Sequence, residues 1–478
     1  MARGGAPRRE RDGFLSATAA APPAAEALAA ATASALGAAR ALDARDASDL
    51  PHFVRNLRRD GLEALGKLGL PRPSDEEWRY TSVATLARRL PDLLAAGAAR
   101  GASPTVSAAA REALACFGPL AGEKRGLHAL VLVNGRLDPA LSHVDGLPAG
   151  VRFEPLSRAF AAPPPLLEQR LGLAGAHRSH PFAALNAAFL SEGVWVEVPD
   201  GVVLPEPLVV LHVADASAGP LACHPRVVLT VGENAQASVV EAYCGVGEAL
   251  VNAVTELYLL AHARLDHSVL QEEALDAFHV GTAEAHLGPG AQLYSRVLSV
   301  GGRIARNELT VRLHGDGAGA TLDGLFLARD AQQVDNHTLV DHARPHGGSQ
   351  QRYKGILSGE ARGAFDGKVV VRPAGAFTDA HQSNRNLLLS DTARVDAKPQ
   401  LEIYNNDVKC THGSATGRLD ADALFYLRSR GFSEDEARSV LTLAFASEIV
   451  DRVPLEPLRA HLTERVLGWL SADAPGAR

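Results

Sequence analysis

The side chains best suited to chemistry crowd one stretch: Asp335, His337, Asp341, His342, His346, Asp379, His381, Asp407, Cys410 and His412. Imidazole and thiolate together favour zinc, copper or iron–sulfur species over magnesium or calcium. The sharpest pair is Cys410-Thr411-His412. On a β-strand residues i and i+2 share a face, so the thiol and the imidazole would point the same way. Two soft or borderline ligands are too few for a closed site, and a chain whose partner supplies the rest would present such a half set. A buried cysteine beside a turn histidine explains the same residues, and spacing alone does not choose. His337-x4-His342-x3-His346 is looser, and Pro345 prevents a helix from presenting two of the three. Histidines that satisfy turn backbones account for that run better than a zinc site does.

Other chemistries lack their machinery. Gly363-Ala-Phe-Asp-Gly367-Lys368 is one residue short of a phosphate loop, has no Ser or Thr after the lysine, and leads into Val369-Val-Val371. A strand there offers no helix N-terminus to a phosphate. No GxGxxG, HExxH or GxSxG is present, and the hydroxyls of Gly413-Ser-Ala-Thr-Gly417 are misplaced for a nucleophile elbow. The four cysteines (Cys116, Cys223, Cys244, Cys410) form no CxxC pair, which fits a reducing compartment. A formal charge of −7 argues against nucleic acid, whose phosphates call for clustered Lys and Arg. No run of about 18 apolar residues suggests a membrane span. The expected location is cytoplasmic. Aromatic residues make up 5% of the chain, too few for the stacking platforms of a polysaccharide enzyme.

These residues must be held by elements, and the 478-residue chain divides into regions of different texture. Residues 1–49 are Ala/Arg-rich and read as a disordered or loosely helical tail, because Pro22-Pro23 and Glu26 interrupt any signal-peptide core. Residues 50–126 read as a helical domain: Phe53, Val54, Leu57, Leu65 and Leu68 recur at helical spacing ahead of Gly69, Ser74 and Glu77 form a capping box, and an Ala/Leu-rich helix lies near 105–116. Residues 127–188 form an α/β lead-in that opens with His128–Val133 and an Asn134-Gly135 turn. From 189 to 414 short strands dominate, and Leu309, Val311 and Leu313 alternate with polar neighbours.

A weak unit repeats at Ala235, Ala263, Ala291 and Ala318, with looser echoes at Ala361 and Ala393. An even interval in the twenties points to a solenoid, although a β-sandwich with regular hairpins is also compatible. Residues 415–478 return to helix. Leu424, Leu427 and Arg428 share one side of a helix stopped by Gly431, Ser433 and Glu436 cap the next, and Ala437, Val440, Leu441, Ala444, Phe445 and Ile449 make an apolar stripe. A third helix is expected from about Pro457 to Leu470.

Five blocks carry a resemblance: DNHTLVDH, SQQRYKGILSGEARGAFDGKVVV, TDAHQSNRNLLLS, KPQLEIYNNDVKCTHGSATG and LDADALFYLRSRG. Over residues 335–452 the chain resembles the SufB/SufD family of iron–sulfur cluster assembly proteins. The Glu76-Glu77-Trp78-Arg79-Tyr80-Thr81 run, and the absence of an acidic residue beside His412, look like the SufD branch. The resemblance implies a right-handed parallel β-helix core flanked by N- and C-terminal helical domains. It also implies a non-catalytic scaffold in a heterotetramer with SufB and two copies of the ATPase SufC. A transient Fe–S cluster would form at the SufB junction. The family's histidine maps onto His412, a ligand for iron or the nascent cluster shared with SufB, and its neighbouring cysteine onto Cys410; His342 and His381 are secondary candidates. Leu424, Phe425, Tyr426, Arg430, Gly431, Val440, Leu441 and Phe445 would face SufC. In the implied mechanism, SufC closes on ATP and pulls the helices, so that the junction shifts. A flavin in the complex and a homodimer of the isolated chain are compatible with the resemblance. So are two other readings, a SufB-like homodimeric scaffold and a stand-alone β-helix metal enzyme.

Overall fold

Gln236, Arg264, Gln292 and Gly319 lie side by side in one parallel ladder, so the intervals of 28, 28 and 27 residues are each one coil. Each follows an alanine of the repeat, and Ala235, Ala263, Ala291 and Ala318 are all 0% exposed at the inside of a corner. Ahead of each alanine the backbone turns through positive φ, at Asn234, His262, Gly290 and Gly317. A methyl group is all that fits behind such a turn, which is why the most regular letter of the repeat is alanine. Parallel pairing between successive coils excludes the sandwich, whose hairpins pair antiparallel.

The computed structural model describes residues 24–46, 49–98, 106–115, 117 and 127–472. Within them a β-solenoid of about eight turns is flanked by N-terminal and C-terminal helices, the latter packed along the face of the first sheet. Each coil gives one strand to each of two sheets. Later coils are longer: Gly319, Gly348, Asp379 and Lys409 stand in register 29, 31 and 30 residues apart. Ala361 and Ala393, the looser echoes, mark the opposite corner, ahead of the second-sheet strands Arg362–Val371 and Arg394–Ile403. The strand His128–Val133 already pairs in parallel with Leu208–Asp215, so the ladder begins well before residue 189.

Among the described residues ten helices cover this core. Helix α1 (Ala24–Asp46) corrects the reading of residues 1–49 as a tail: Ala31, Ala35 and Ala39 are fully buried, the first two in a cluster with Leu65, Leu90 and Leu93. Alanine is the best helix former, and a one-turn spacing of methyl groups lets α1 lie close on its neighbours. Residues 1–23, 47 and 48 of that tail lie outside the described residues. Helix α2 (His52–Leu68) ends at Gly69, φ 65°. The expected Ser74–Glu77 capping box does not form; Glu76–Trp78 is a single tight turn, and Asp75 instead accepts a 2.8 Å bond from the Arg72 N–H. Helices α3 (Ala84–Ala98), α4 (Ala108–Ala115), α5 (Leu156–Ala161), α6 (Pro165–Arg170) and α7 (Pro181–Ala188) complete the N-terminal layer. No described helix is long and apolar enough to cross a membrane.

At the other end come α8 (Ala421–Ser429), α9 (Glu434–Val450) and α10 (Glu456–Ala472). The Asp420 carboxylate accepts from the Asp422 and Ala423 N–H groups, and Ser433 with Glu436 forms the expected capping box. The buried face of α9 is Ala437, Thr442, Ala446, Ile449 and Val450. It joins one apolar cluster with Leu298, Leu325, Leu327 and Ile356 from the first sheet's strands. This differs from the expected stripe: Val440 is 42% exposed and Ala444 is exposed. Polar anchors set the rotation. Lys354 donates to the Phe445 carbonyl (2.9 Å) and pairs with Glu448 (2.6 Å), and Arg438 donates to the Leu389 carbonyl (3.1 Å).

Candidate functional site at the open end of the solenoid

The last strand of the first sheet, Val408–Gly417, carries both members of the Cys–His pair. Ala380, His381 and Gln382 of the preceding rung stand opposite Cys410, Thr411 and His412. Ala380 and Gln382 are buried, so Cys410 and His412 continue an inward-facing row, about 7 Å apart along the strand. No described strand follows, and the row ends at an open rim. The His412 side chain is exposed and makes no hydrogen bond or ion pair among the described residues. Cys410 is half-buried; burial, followed by the Asp379 carboxylate, pushes its thiol pKa up. The thiol is therefore protonated at neutral pH and needs a metal or a cationic partner to become a ligand.

His381 and His342 do not join this pair. His381 shares the outward face with Thr411; it lies 2.8 Å from Asp379 and 2.7 Å from the Thr411 hydroxyl. His342 is fully buried on the second sheet, two rungs in from that sheet's free edge, 2.8 Å from the Ser349 hydroxyl. Burial drives its pKa down to about 4, so it is a neutral core residue. His337 faces outward beside Asp335 (3.0 Å), and His346 stacks on Phe377 at a corner. Three separate environments thus replace the His337–His342–His346 run, and no group of three His, Cys, Asp or Glu could hold a metal among the described residues.

The rim has a second property. The terminal strands of both sheets, Arg394–Ile403 and Val408–Gly417, each leave one ladder edge unpaired among the described residues. Phe377 (55%), Ile403 (42%) and Tyr404 (60%) are exposed nearby. At the N-terminal end, by contrast, helices and short antiparallel strands cover the edges. An uncovered edge of this length is a template for another chain.

The proposed SufC-facing residues divide. Helix α8 buries none of its side chains; Phe425 is 74% and Tyr426 57% exposed. Arg430 lies over the Tyr426 ring at 5.1 Å, and Gly431, at φ 98°, makes the sharp turn into α9. Leu424 and Leu441 are half-buried, and Val440 is open. Phe445 is different: its ring covers the Lys354 ammonium at 4.1 Å, so it belongs to the chain's own packing.

Sequence reasoning missed the clasp that holds the N-terminal layer to the solenoid. Arg306 lies over Trp78 at 3.8 Å, donates to the Glu77 carbonyl (2.9 Å), and pairs with Glu308 (2.6 Å) and Asp335 (2.7 Å). The Thr81 hydroxyl donates to the same Asp335 carboxylate. The signal was present in the Glu-Glu-Trp-Arg-Tyr-Thr run and in Asp335, but more than 220 residues separate Arg306 from Thr81 and Glu77.

Comparison with known proteins places this geometry. The family description "SUF system FeS cluster assembly, SufBD core domain" matches residues 212–445, and "SufBD protein N-terminal region" matches 121–210. The chain belongs to the SufBD family. It is 32% identical to an iron–sulfur cluster assembly SufBD family protein of Synechocystis over 421 residues, covering 86% of this chain and 90% of the relative. It is 29% identical to the iron–sulfur cluster assembly protein SufD of Escherichia coli over 409 residues, 85% and 90% of the two chains. A SufBD family protein of Mycobacterium leprae is 38% identical over 215 residues, 43% of this chain and 55% of that one. The β-solenoid flanked by helices and the role in iron–sulfur cluster assembly thus agree with what the sequence motifs imply.

Proposed function

We propose that this SufBD family member acts as the SufD-type scaffold of a SUF complex. It pairs with SufB through the rim of its solenoid, binds the ATPase SufC through α8 and the exposed side of α9, and offers His412, with Cys410 beside it, to a nascent cluster that is cargo rather than a resident cofactor. The observation that carries this reading is the coincidence, at one end of the fold, of an incomplete soft-ligand pair with two sheet edges that no described strand pairs. Similarity to SufD of Escherichia coli along 85% of the chain supports the choice of branch.

Each residue's task follows from its surroundings. His412 needs no rearrangement to reach a metal, having no partner to give up. Cys410 must lose a proton on binding, so its participation is favoured as pH rises. A pull on α9 reaches the solenoid through Lys354, whose neighbours across the ladder are Leu325 and Arg385, and Arg385 is paired with Ala415 on the His412 strand. Catalysis is not required of the chain itself.

The test is co-expression with SufB and SufC, followed by anaerobic cluster reconstitution of the complex. His412→Ala should leave the complex assembled and lower the cluster yield. An unchanged yield removes His412 from the site, and failure of SufB to co-purify with the wild-type chain removes the pairing. The isolated chain's mass in solution reports whether a second copy takes SufB's place on the free edges.

A further inference from the structure

A cleft of about 690 Å³ opens between α1, α3 and the first coils of the solenoid, far along the chain from the rim. Sites for small organic ligands occupy about 300–1,000 Å³. The walls are Ala38, Ala41 and Leu42 of α1 with Leu94 of α3, facing Leu137, Phe189 and Cys223. Phe189 stacks on His224 at 4.7 Å and 23°, adding a flat aromatic surface. Burial drives the His224 pKa down to about 3, so this surface is uncharged at neutral pH.

The charged residues of the cleft are unequal. Asp46 is taken up by Arg45 (2.8 Å) and Arg58 (3.2 Å), and Glu192 accepts from the Ser157 and Gly193 N–H groups, each at 3.0 Å. Arg136, on the Asn134-Gly135 hairpin, is exposed and has no ion pair among the described residues. The cleft therefore combines an apolar, partly aromatic patch with polar walls that include Asn134, Ser157 and Ser191, and among the described residues Arg136 is its one cation without an ion pair. A flat or short apolar body would gain dispersion contacts against this patch, and a guanidinium at its edge adds a preference for an anionic head group.

We propose that this cleft is a binding site for a small organic anion with a flat or short apolar body, whose head group pairs with Arg136 while its body lies against Phe189 and His224.

The test uses the full chain and anilinonaphthalene sulfonate, an aromatic anion that fluoresces in apolar surroundings. One saturable site per chain is expected, well below the unfolding temperature. Ala41→Trp, at an exposed position of α1 that lines the cleft, should abolish the signal by filling it. Arg136→Glu lies on an exposed turn and leaves the core untouched; it should weaken binding about fivefold, with the difference shrinking at high salt. Displacement by naphthoate or by octanoate then tells an aromatic ligand from an acyl one. A signal that does not saturate, that appears only as the protein melts, or that both variants leave at the wild-type level overturns the site. Displacement by neither anion overturns the small-ligand class and leaves the cleft to a partner's polypeptide. None of these outcomes depends on SufB, SufC or His412.

Discussion

Removing Asp335 should loosen the N-terminal layer far more than any surface change. The Asp335 carboxylate is fully buried, 2.7 Å from Arg306 and 3.0 Å from His337, and it accepts the Thr81 hydroxyl. Burial alone would raise its pKa, but the charges of His337 and Arg306 override that and hold it at about 2, below the ordinary 3.8. That displacement corresponds to about 2 kcal/mol in favour of the folded charged form. Because the folded pKa is depressed, this contribution is complete above about pH 4 and disappears as pH falls through about 2. Asp335→Asn removes the charge and keeps the shape, so it should cost about 2 kcal/mol at neutral pH. Asp335→Ala leaves Arg306 buried with Glu308 as its one carboxylate partner among the described residues, and breaking one side of a buried pair costs about 3–5 kcal/mol. A chain of this size need not unfold in one step, so the suitable assay is local. Hydrogen exchange in residues 76–98 should accelerate in the order wild type, Asp335→Asn, Asp335→Ala, with little change beyond residue 408. Equal protection in all three, or wild-type protection that survives acidification from pH 4 to 2, would refute the electrostatic account of the clasp.

Other consequences can be checked directly. Phe425→Asp on α8 should abolish SufC co-purification without altering the melting temperature, whereas Phe445→Asp should lower that temperature by uncovering the Lys354 ammonium. Ala291→Leu forces a larger side chain behind a closed corner and should cost about 1–3 kcal/mol, read as early proteolysis within the middle coils. Alkylation of Cys410 by iodoacetamide at neutral pH should run slower than that of a cysteine in an unstructured peptide and recover as pH rises past its elevated pKa. A rate equal to the peptide's would show that Asp379 and burial do not govern the thiol.

How legible this was in the sequence depended on whether a residue's neighbours are close along the chain. The alanine repeat, the Asn134-Gly135 turn, the Gly69 stop and the Ser433–Glu436 cap are local patterns, and each appears in the structure. The Cys410–His412 pair was readable because two residues on one strand share a face wherever the strand lies. Helix α1 was misread because alanine composition resembles low complexity until something presses on it. The phase of α9 was misjudged because Lys354 and Leu389, which set it, lie on the solenoid. His342 could not be told from a ligand by spacing; only the coil geometry turns it inward while His337 turns outward. Buried pairs such as Glu241–His267 (2.8 Å) and Arg306–Asp335 join residues about one coil apart, and no short motif reveals them.

The asymmetry between a capped N-terminal end and a bare rim has a thermodynamic corollary. In a stack of coils each rung is held only by the rungs beside it, so stability is close to a sum of nearest-neighbour terms. Among the described residues the rung that bears His412 has one neighbour where interior rungs have two, and fraying should start there and travel inward. A subunit that seats on that rim would supply the missing neighbour, and its arrival would be felt as heat resistance along the coils before any metal was bound.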